Sequence, residues 1–138
     1  MKYLLDTCVL SELTKPAPHE KVVAWLRKAN DVALFVSVLT LGELEKGIVR
    51  LPASKRRASF EKWLAETRDG YSGRILDVTV DVAVEWGRAG ARAEAKGKPI
   101  PVIDGFIGAT ARVHRLVVVT RNTTDIERTG ADTLNLWV

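Results

Sequence analysis

Four acidic residues stand where an α/β protein places its chemistry, and together they could bind a divalent cation. Asp6 directly follows a short apolar run at residues 3–5, and Asp125 lies shortly after a second run at residues 117–120. Because the carboxyl ends of parallel strands share one edge of a sheet, we expect both aspartates at that edge. Glu43 and Asp104 lie on predicted helices and complete the set.

Crowded carboxylates repel one another, which raises their pKa values and weakens the fold unless a cation neutralises them. The chain has one cysteine and two histidines, so its ligand set would consist of oxygen atoms. Oxygen ligands favour Mg²⁺ or Mn²⁺ over zinc. Such a cation polarises a phosphoryl oxygen and activates water, which suits hydrolysis of a phosphodiester bond.

Asp104 is predicted to lie in the first turn of a helix over residues 101–114, away from the centre of its apolar stripe. Its own face continues through Gly108 and Ala111, and we expect these small residues to leave room for a ligand. Glu43 lies at the edge of the polar face of a helix predicted over residues 40–51. Nothing in the local pattern separates Glu43 from its neighbour Glu45.

Each acid also has a purely structural interpretation. Aspartate is a preferred helix N-cap, so Asp6 could cap a helix over residues 7–13, and Asp125 could cap the turn that it precedes. The negative charge of Asp104 would be favourable at the positive end of its helix dipole. Taken singly, these structural roles compete with the functional ones, and the case for function rests on the four acids together.

The elements that must position these acids alternate between short apolar runs and longer amphipathic ones. This alternation predicts a three-layer α/β/α fold around a central, mainly parallel sheet. The predicted strands cover residues 3–5, 33–36, 75–78, 117–120 and 133–137. The predicted helices cover residues 7–13, 19–29, 40–51, 54–69, 81–96 and 101–114.

Composition narrows the class of protein. With 138 residues and no linker or repeat, the chain is predicted to form a single domain over residues 1–138. The single cysteine excludes an internal disulfide, and no apolar run approaches the ~20 residues that span a bilayer, so we expect a cytoplasmic protein without membrane contact. The formal net charge of +4 favours polyanionic partners only mildly.

Four segments resemble, in order and spacing, the motifs of PIN-domain ribonucleases. They are LLDTCVLSE at residues 4–12, TLGEL with the following GI at residues 40–48, VIDGFIGATA at residues 102–111 and VTRNTTD at residues 119–125. With the ending NLW at residues 135–137, the pattern is most similar to the VapC/FitB-type toxins of bacterial toxin–antitoxin pairs. The resemblance extends over essentially the whole chain.

The resemblance implies an endoribonuclease that uses Mg²⁺, or alternatively Mn²⁺, and leaves a 5′-phosphate and a 3′-hydroxyl. Asp6 and Asp104 would be metal ligands, with Glu43 and Asp125 completing the catalytic acids directly or through water. Supporting roles would fall to Thr7, Thr120 and Asn122. The implied partners are an RNA substrate (tRNA, rRNA or mRNA), a VapB-like antitoxin that covers the pocket, and a second copy in a homodimer, with DNA in a higher assembly.

Cys8 departs from the pattern, because the family usually has Asn or Ser at this position. A thiol is a poor hydrogen-bond donor, so we expect a supporting bond to Asp6 to be missing. Arg121, beside the acids, is our candidate for a contact to a substrate phosphate. Gly105 and Ile126 also differ from the usual residues, and we expect them to affect packing more than chemistry.

The main alternative is a binding module without chemistry, whose basic face would follow nucleic-acid phosphates. Its candidate residues are Lys55, Arg56, Arg57, Arg88, Arg92, Lys96 and Lys98. Three other classes fit poorly. A phosphoacceptor domain needs a pair of acids after its first strand, a dinucleotide site needs its glycines directly after a strand, and Cys8 as a nucleophile has no evident base. Both histidines are expected at the surface or at helix ends.

Overall fold

Five parallel strands form one sheet in the computed structural model, which describes residues 1–138. The strands are β1 (Tyr3–Leu5), β2 (Leu34–Ser37), β3 (Ile75–Leu76), β4 (Val117–Val119) and β5 (Thr133–Leu134). Their order across the sheet is β3-β2-β1-β4-β5, so β1 is central and β3 and β5 are the edges. The predicted parallel α/β sheet is confirmed.

Seven helices connect the strands and cover both faces of the sheet. They are α1 (Thr7–Glu12), α2 (Glu20–Lys28), α3 (Val38–Val49), α4 (Lys55–Gly70), α5 (Val80–Ala95), α6 (Val102–His114) and α7 (Thr123–Glu127). Six of them correspond to predicted helices. The seventh, α7, was not predicted, because five residues are too few to show a helical period.

Alternation along the central strands divides the core into two layers. Leu5 and Val119 pack with α1 to α4 on one face, whereas Leu4 and Val118 pack with α6 and α7 on the other. Successive side chains of a strand point to opposite faces, so continuous apolar runs are what a doubly covered sheet requires. The predicted three-layer α/β/α architecture follows from this division.

Both edge strands are shorter than predicted. The strand expected over residues 133–137 ends at Leu134, because the Asn135 side chain accepts a hydrogen bond from the Trp137 backbone N–H at 2.9 Å and turns the chain. The strand expected over residues 75–78 ends at Leu76, since Thr79 already caps α5 through the Val82 N–H. Local side-chain bonds of this kind compete with strand pairing.

The pairing register of β1 with β4 places two polar residues of the site side by side. Leu5 of β1 pairs with Val119 of β4, so Asp6 and Thr120 are the next residues on two adjacent strands. On the other side of β1, Ser37 ends β2 and caps α3 through the Leu39 N–H. The carboxyl edge of the sheet therefore carries Asp6 and Thr120 and lies next to the start of α3.

Glu12, on α1, forms hydrogen bonds that link the first helix to the C-terminal segment. Its carboxylate is buried and accepts hydrogen bonds from Lys15 Nζ at 3.0 Å, from Trp137 Nε1 at 3.1 Å and from the His19 backbone N–H at 3.1 Å. The hydrogen bond from Lys15, helped by the other two donors, holds the pKa of Glu12 below its ordinary value, although burial opposes this. Sequence reasoning did not single out this residue.

We predict that Glu12→Ala lowers the free energy of unfolding by about 2–3 kcal/mol, because three donors, two of them half-buried, lose a charged acceptor. Since folding lowers the pKa of Glu12, its contribution is present at neutral pH and is lost as the pH falls through its folded-state pKa. Urea denaturation at pH 7 measures the effect. Glu94→Ala, at an exposed site on α5, should change stability by less than about 0.5 kcal/mol, and equal losses in the two variants would contradict the account.

Candidate active site

Asp6 joins the first helix to the neighbouring strand. Its Oδ1 accepts a hydrogen bond from the Thr7 backbone N–H at 2.8 Å, and its Oδ2 accepts one from Thr120 Oγ1 at 2.8 Å. The expected capping role at α1 is therefore real, but it occupies only one oxygen. The second oxygen belongs to a network that continues across the sheet edge.

Thr7 connects Asp6 to Glu43. The Thr7 hydroxyl donates to Glu43 Oε1 at 2.6 Å, while the backbone N–H of the same residue donates to Asp6. Glu45 instead lies in the hollow between α3 and α4. The tertiary structure thus separates two glutamates that the local sequence could not distinguish, and it is Glu43 that joins the acids.

Asn122 connects the other two acids. Its Nδ2 donates to Asp104 Oδ2 at 3.0 Å and to Asp125 Oδ2 at 3.1 Å, and its backbone N–H donates to Thr120 Oγ1 at 2.9 Å. Thr120 in turn donates to Asp6. The four predicted acids and the three predicted supporting residues therefore form one hydrogen-bonded assembly, which we call the acidic cluster: Asp6, Thr7, Glu43, Asp104, Thr120, Asn122 and Asp125.

The structural interpretation of Asp125 was wrong. Asp125 lies inside α7 rather than before a turn, and it caps nothing, since Asn122 occupies the N-cap position. Its Oδ2 faces Asn122, and its Oδ1 meets Arg128 Nη1 at 3.4 Å. The short helix α7 is what turns this carboxylate towards Asp104.

The prediction that the small residues after Asp104 leave room for a ligand was also wrong. Gly108 and Ala111 are buried, and the place of a side chain at position 108 is taken by Thr129, with which a methyl group there would overlap. These small residues allow the segment after α7 to pack closely against α6. Asp104 itself is half-buried at the start of α6, where Asn122 reaches it from the sheet edge.

Electrostatics within the acidic cluster favour the uptake of positive charge. Burial, and then the charges of Asp6, Asp125 and Glu43, raise the pKa of Asp104 to about 6, against the opposing bond from Asn122. Burial also raises the pKa of Asp6, although Thr120 and Thr7 donate to it. The shared direction shows that the carboxylates lack sufficient cationic compensation from the protein.

The structure does not gather a large set of metal ligands. No three His, Cys, Asp or Glu side chains are arranged to hold one metal ion together. Mg²⁺ is commonly bound through one or two carboxylates with water in its remaining positions, so a pair of carboxylates would suffice as its protein ligands. On α3, the buried Thr40 hydroxyl lies one turn before Glu43 and has no hydrogen-bond partner in the protein.

Cys8 supports the cluster by an indirect contact. Its thiol makes no hydrogen bond to Asp6, in line with the expectation from its departure from the family pattern, but accepts one from the Arg121 backbone N–H at 3.4 Å and lies 3.8 Å from Thr120 Oγ1. Burial raises the pKa of the thiol, which disfavours a nucleophilic role. Sequence reasoning missed that Cys8 helps to hold the segment after β4.

The remaining candidates lie at the surface. The Arg121 guanidinium stacks over the Trp137 ring at 5.6 Å from its centroid, next to the acidic cluster in the chain but with its own aromatic support. His19 caps α2, where Nδ1 accepts from the Lys21 N–H at 3.2 Å, and His114 ends α6. Both histidines thus occupy the expected helix ends.

No helix combines the length and apolarity that crossing a membrane would require.

Comparison with known proteins places the whole chain among relatives of one kind. It is 38% identical over 135 residues to the VapC ribonuclease Y4jK of Sinorhizobium fredii, covering 97% of this chain and 96% of that protein. It is 35% identical over 135 residues to the toxin FitB of Neisseria gonorrhoeae, covering 97% of each.

Solved structures and family models agree with these relatives. A structure of FitAB bound to an IR36 DNA fragment superposes with a TM-score of 0.94 at 32% identity, covering 99% of this chain and 96% of that one. The family model of the PIN domain matches residues 3–131, a range that contains every member of the acidic cluster. The chain belongs to the PIN domain family.

Proposed function

We propose that this protein is a metal-dependent endoribonuclease of the VapC type, which acts as the toxin of a toxin–antitoxin pair. One observation carries the proposal: four carboxylates from four separate parts of the chain share a single hydrogen-bonded assembly. A purely structural role for each acid would not require them to meet. The names of the relatives, a ribonuclease and a toxin, support the same activity.

Asp6 and Asp104 would hold a divalent cation, Mg²⁺ or alternatively Mn²⁺. The donor set fits, because it consists of oxygen atoms and because the raised pKa values of these two acids fall when a cation approaches. When bound, the cation would polarise a phosphoryl oxygen of RNA and supply hydroxide near neutral pH. Glu43 and Asp125 would act on it directly or through water.

The other members of the cluster orient these groups. Thr7 and Thr120 donate hydrogen bonds to the two oxygens of Asp6. Asn122 donates to both Asp104 and Asp125 and so fixes these two carboxylates relative to each other. Fixed carboxylates can hold the water that attacks the scissile phosphate in line with its leaving oxygen, so that cleavage leaves a 5′-phosphate and a 3′-hydroxyl. Arg121 would contact a neighbouring phosphate.

A VapB-like antitoxin would silence this site by covering it. An arginine of the antitoxin could pair bidentately with the acids and take the place of the cation.

Exposed apolar side chains on α5 and α6 favour self-association into a homodimer. They include Val80, Val84, Trp86 and Val102. The DNA-bound structure of the relative FitAB supports a larger assembly that includes DNA.

We expect Asp104→Asn to reduce RNA cleavage by about 100-fold or more, because it removes a charged ligand of the cation. EDTA should abolish cleavage by the parent, and added Mg²⁺ or Mn²⁺ should restore it. Gel analysis of a labelled RNA measures both. Asp132→Asn is the matched control, since Asp132 is an exposed acid at the opposite end of the sheet. Full cleavage by Asp104→Asn, or cleavage that persists in EDTA, would refute the proposal.

The same variant should stabilise the metal-free protein. Folding raises the pKa of Asp104 from 3.8 to about 6, so ionisation of this group destabilises the fold increasingly as the pH rises from 3.8 to about 6, and in full above that. With half of the side chain open to solvent, we expect Asp104→Asn to add about 1 kcal/mol at pH 7.5 in EDTA. Its advantage should shrink as the pH falls from 6 towards 4. Thermal melts of the parent and the variant at pH 7.5 and at pH 4 test this. A difference in stability that does not change with pH would contradict it.

For Arg121→Ala we expect weaker RNA binding and a shallower salt dependence, because one phosphate contact is lost. The slope of log K against log salt should fall by about 0.7, the value for one contact to a single strand. Arg121→Lys keeps the charge and should keep the slope. Titrations in EDTA at several salt concentrations measure it. An unchanged slope for the alanine variant would remove Arg121 from the phosphate contacts.

A further inference from the structure

A strongly basic hollow lies beside the acidic cluster, between α5, α6 and α7. It encloses about 530 Å³, and we call it the basic hollow. Its positive side chains come from the end of α5 and the segment that follows it, from α6 and from the segment after α7; they are Arg92, Lys96, Lys98, Arg112 and Arg128. Arg92, Lys96 and Lys98 were predicted as part of a basic face for nucleic-acid phosphates, and the structure brings them together with Arg112 and Arg128 in one concave surface.

The lining of the basic hollow carries a net positive charge. Glu127 is the one carboxylate that lines it, so its lining carries an excess of four positive charges. Glu85, which lies outside the lining and pairs with Arg92 and Arg112, offsets one of them. The charge that remains in this concave place attracts anions.

Part of this charge is free to meet a ligand. Arg92 and Arg112 share Glu85, at 3.3 Å and 3.0 Å. Lys96 and Lys98, in contrast, are exposed and pair with no acid of the protein. They flank Gly97, whose positive φ of 71° turns the chain after α5 and presents the two lysines at the rim.

The basic hollow is continuous with the acidic cluster. Arg128 lines the hollow, and its Nη1 lies 3.4 Å from Asp125 Oδ1 and donates to the Pro99 carbonyl at 3.3 Å. Thr124 lines the hollow as well, whereas the next residue, Asp125, faces Asn122. An anionic polymer with one phosphate at the acids would therefore pass directly onto the lysines and arginines.

We infer that the basic hollow binds backbone phosphates of the RNA strand next to the scissile bond, an inference that rests on the proposed ribonuclease function. An acidic protein segment is the other occupant that this charge could attract. The lining favours RNA, because Ala93 is its one apolar residue and a docked peptide would find little surface on which to bury side chains. Backbone phosphates need only positive charge and donors.

The test compares two pairs of lysines. Lys96→Gln/Lys98→Gln removes the two unpaired charges of the hollow. Lys21→Gln/Lys28→Gln is the matched control, since these lysines are also exposed and unpaired but lie on α2, across the sheet. Binding of a 5′-fluorescein-labelled, 20-nucleotide RNA is followed by anisotropy in EDTA at several salt concentrations, with a gel to verify that the RNA stays intact.

For the hollow variant we expect about fivefold to tenfold weaker binding and a salt slope smaller by about 1.4, which corresponds to two phosphates of a single strand. The control should stay near the parent on both measures. Equal effects in the two variants, or no effect in either, would overturn the inference. Weaker binding to poly-L-glutamate with unchanged RNA binding would also overturn it and would assign the hollow to an acidic protein segment.

Cleavage assays separate this inference from the function on which it rests. With Mg²⁺ present, the hollow variant should raise KM while kcat stays near that of the parent, because its acidic cluster is intact. If the parent does not cleave RNA, the proposed function fails, and the binding titrations still decide whether the hollow holds RNA. If the hollow variant cleaves and binds like the parent, the function stands and the inference fails.

Discussion

Four carboxylates of like charge are held together at the carboxyl edge of the sheet, and their mutual repulsion is the constraint that the rest of the site must satisfy. Pairing of β1 with β4 sets Asp6 beside Thr120, and the Thr120 hydroxyl then links Asp6 to the segment that carries Asn122. Three neutral donors, Thr7, Thr120 and Asn122, separate and orient the charges. These neutral donors do not cancel the effect of burial, which is the largest cause, or of the neighbouring charges, so the pKa values of Asp6 and Asp104 remain raised.

The apolar core stabilises the fold against the repulsion among these acids. Its layers begin directly beside the cluster, where Leu5 precedes Asp6 and Val119 precedes Thr120, and the buried Glu12 network holds the C-terminal segment to α1. Arg128, which lines the basic hollow, is the one positive side chain that forms an ion pair with an acid of the cluster. Keeping cations close to the acids, but not among them, leaves the carboxylates free for a metal ion while the neighbouring surface can attract a polyanion.

The sequence predicted the architecture and the membership of the acidic cluster better than its geometry. Apolar runs and helical periods are local signals, and they located five strands and six helices, but α7 is too short to produce one. The position of Asp125 inside α7 and the packing of Thr129 on Gly108 depend on tertiary contacts. The same holds for the choice between Glu43 and Glu45, which Thr7 decides from another helix. The sequence also predicted Arg92, Lys96 and Lys98 as basic candidates, but their assembly with Arg112 and Arg128 into the basic hollow depends on tertiary packing.

Anomalous diffraction from crystals soaked in Mn²⁺ tests the central claim most directly, because it locates the cation without relying on catalysis. If the acids gather to hold a hard cation, a manganese peak should lie between the carboxylates of Asp6 and Asp104, and Asp104→Asn crystals should lack it. A saturating soak that leaves this position without manganese, or that places the metal only on acids outside the cluster, would contradict the account.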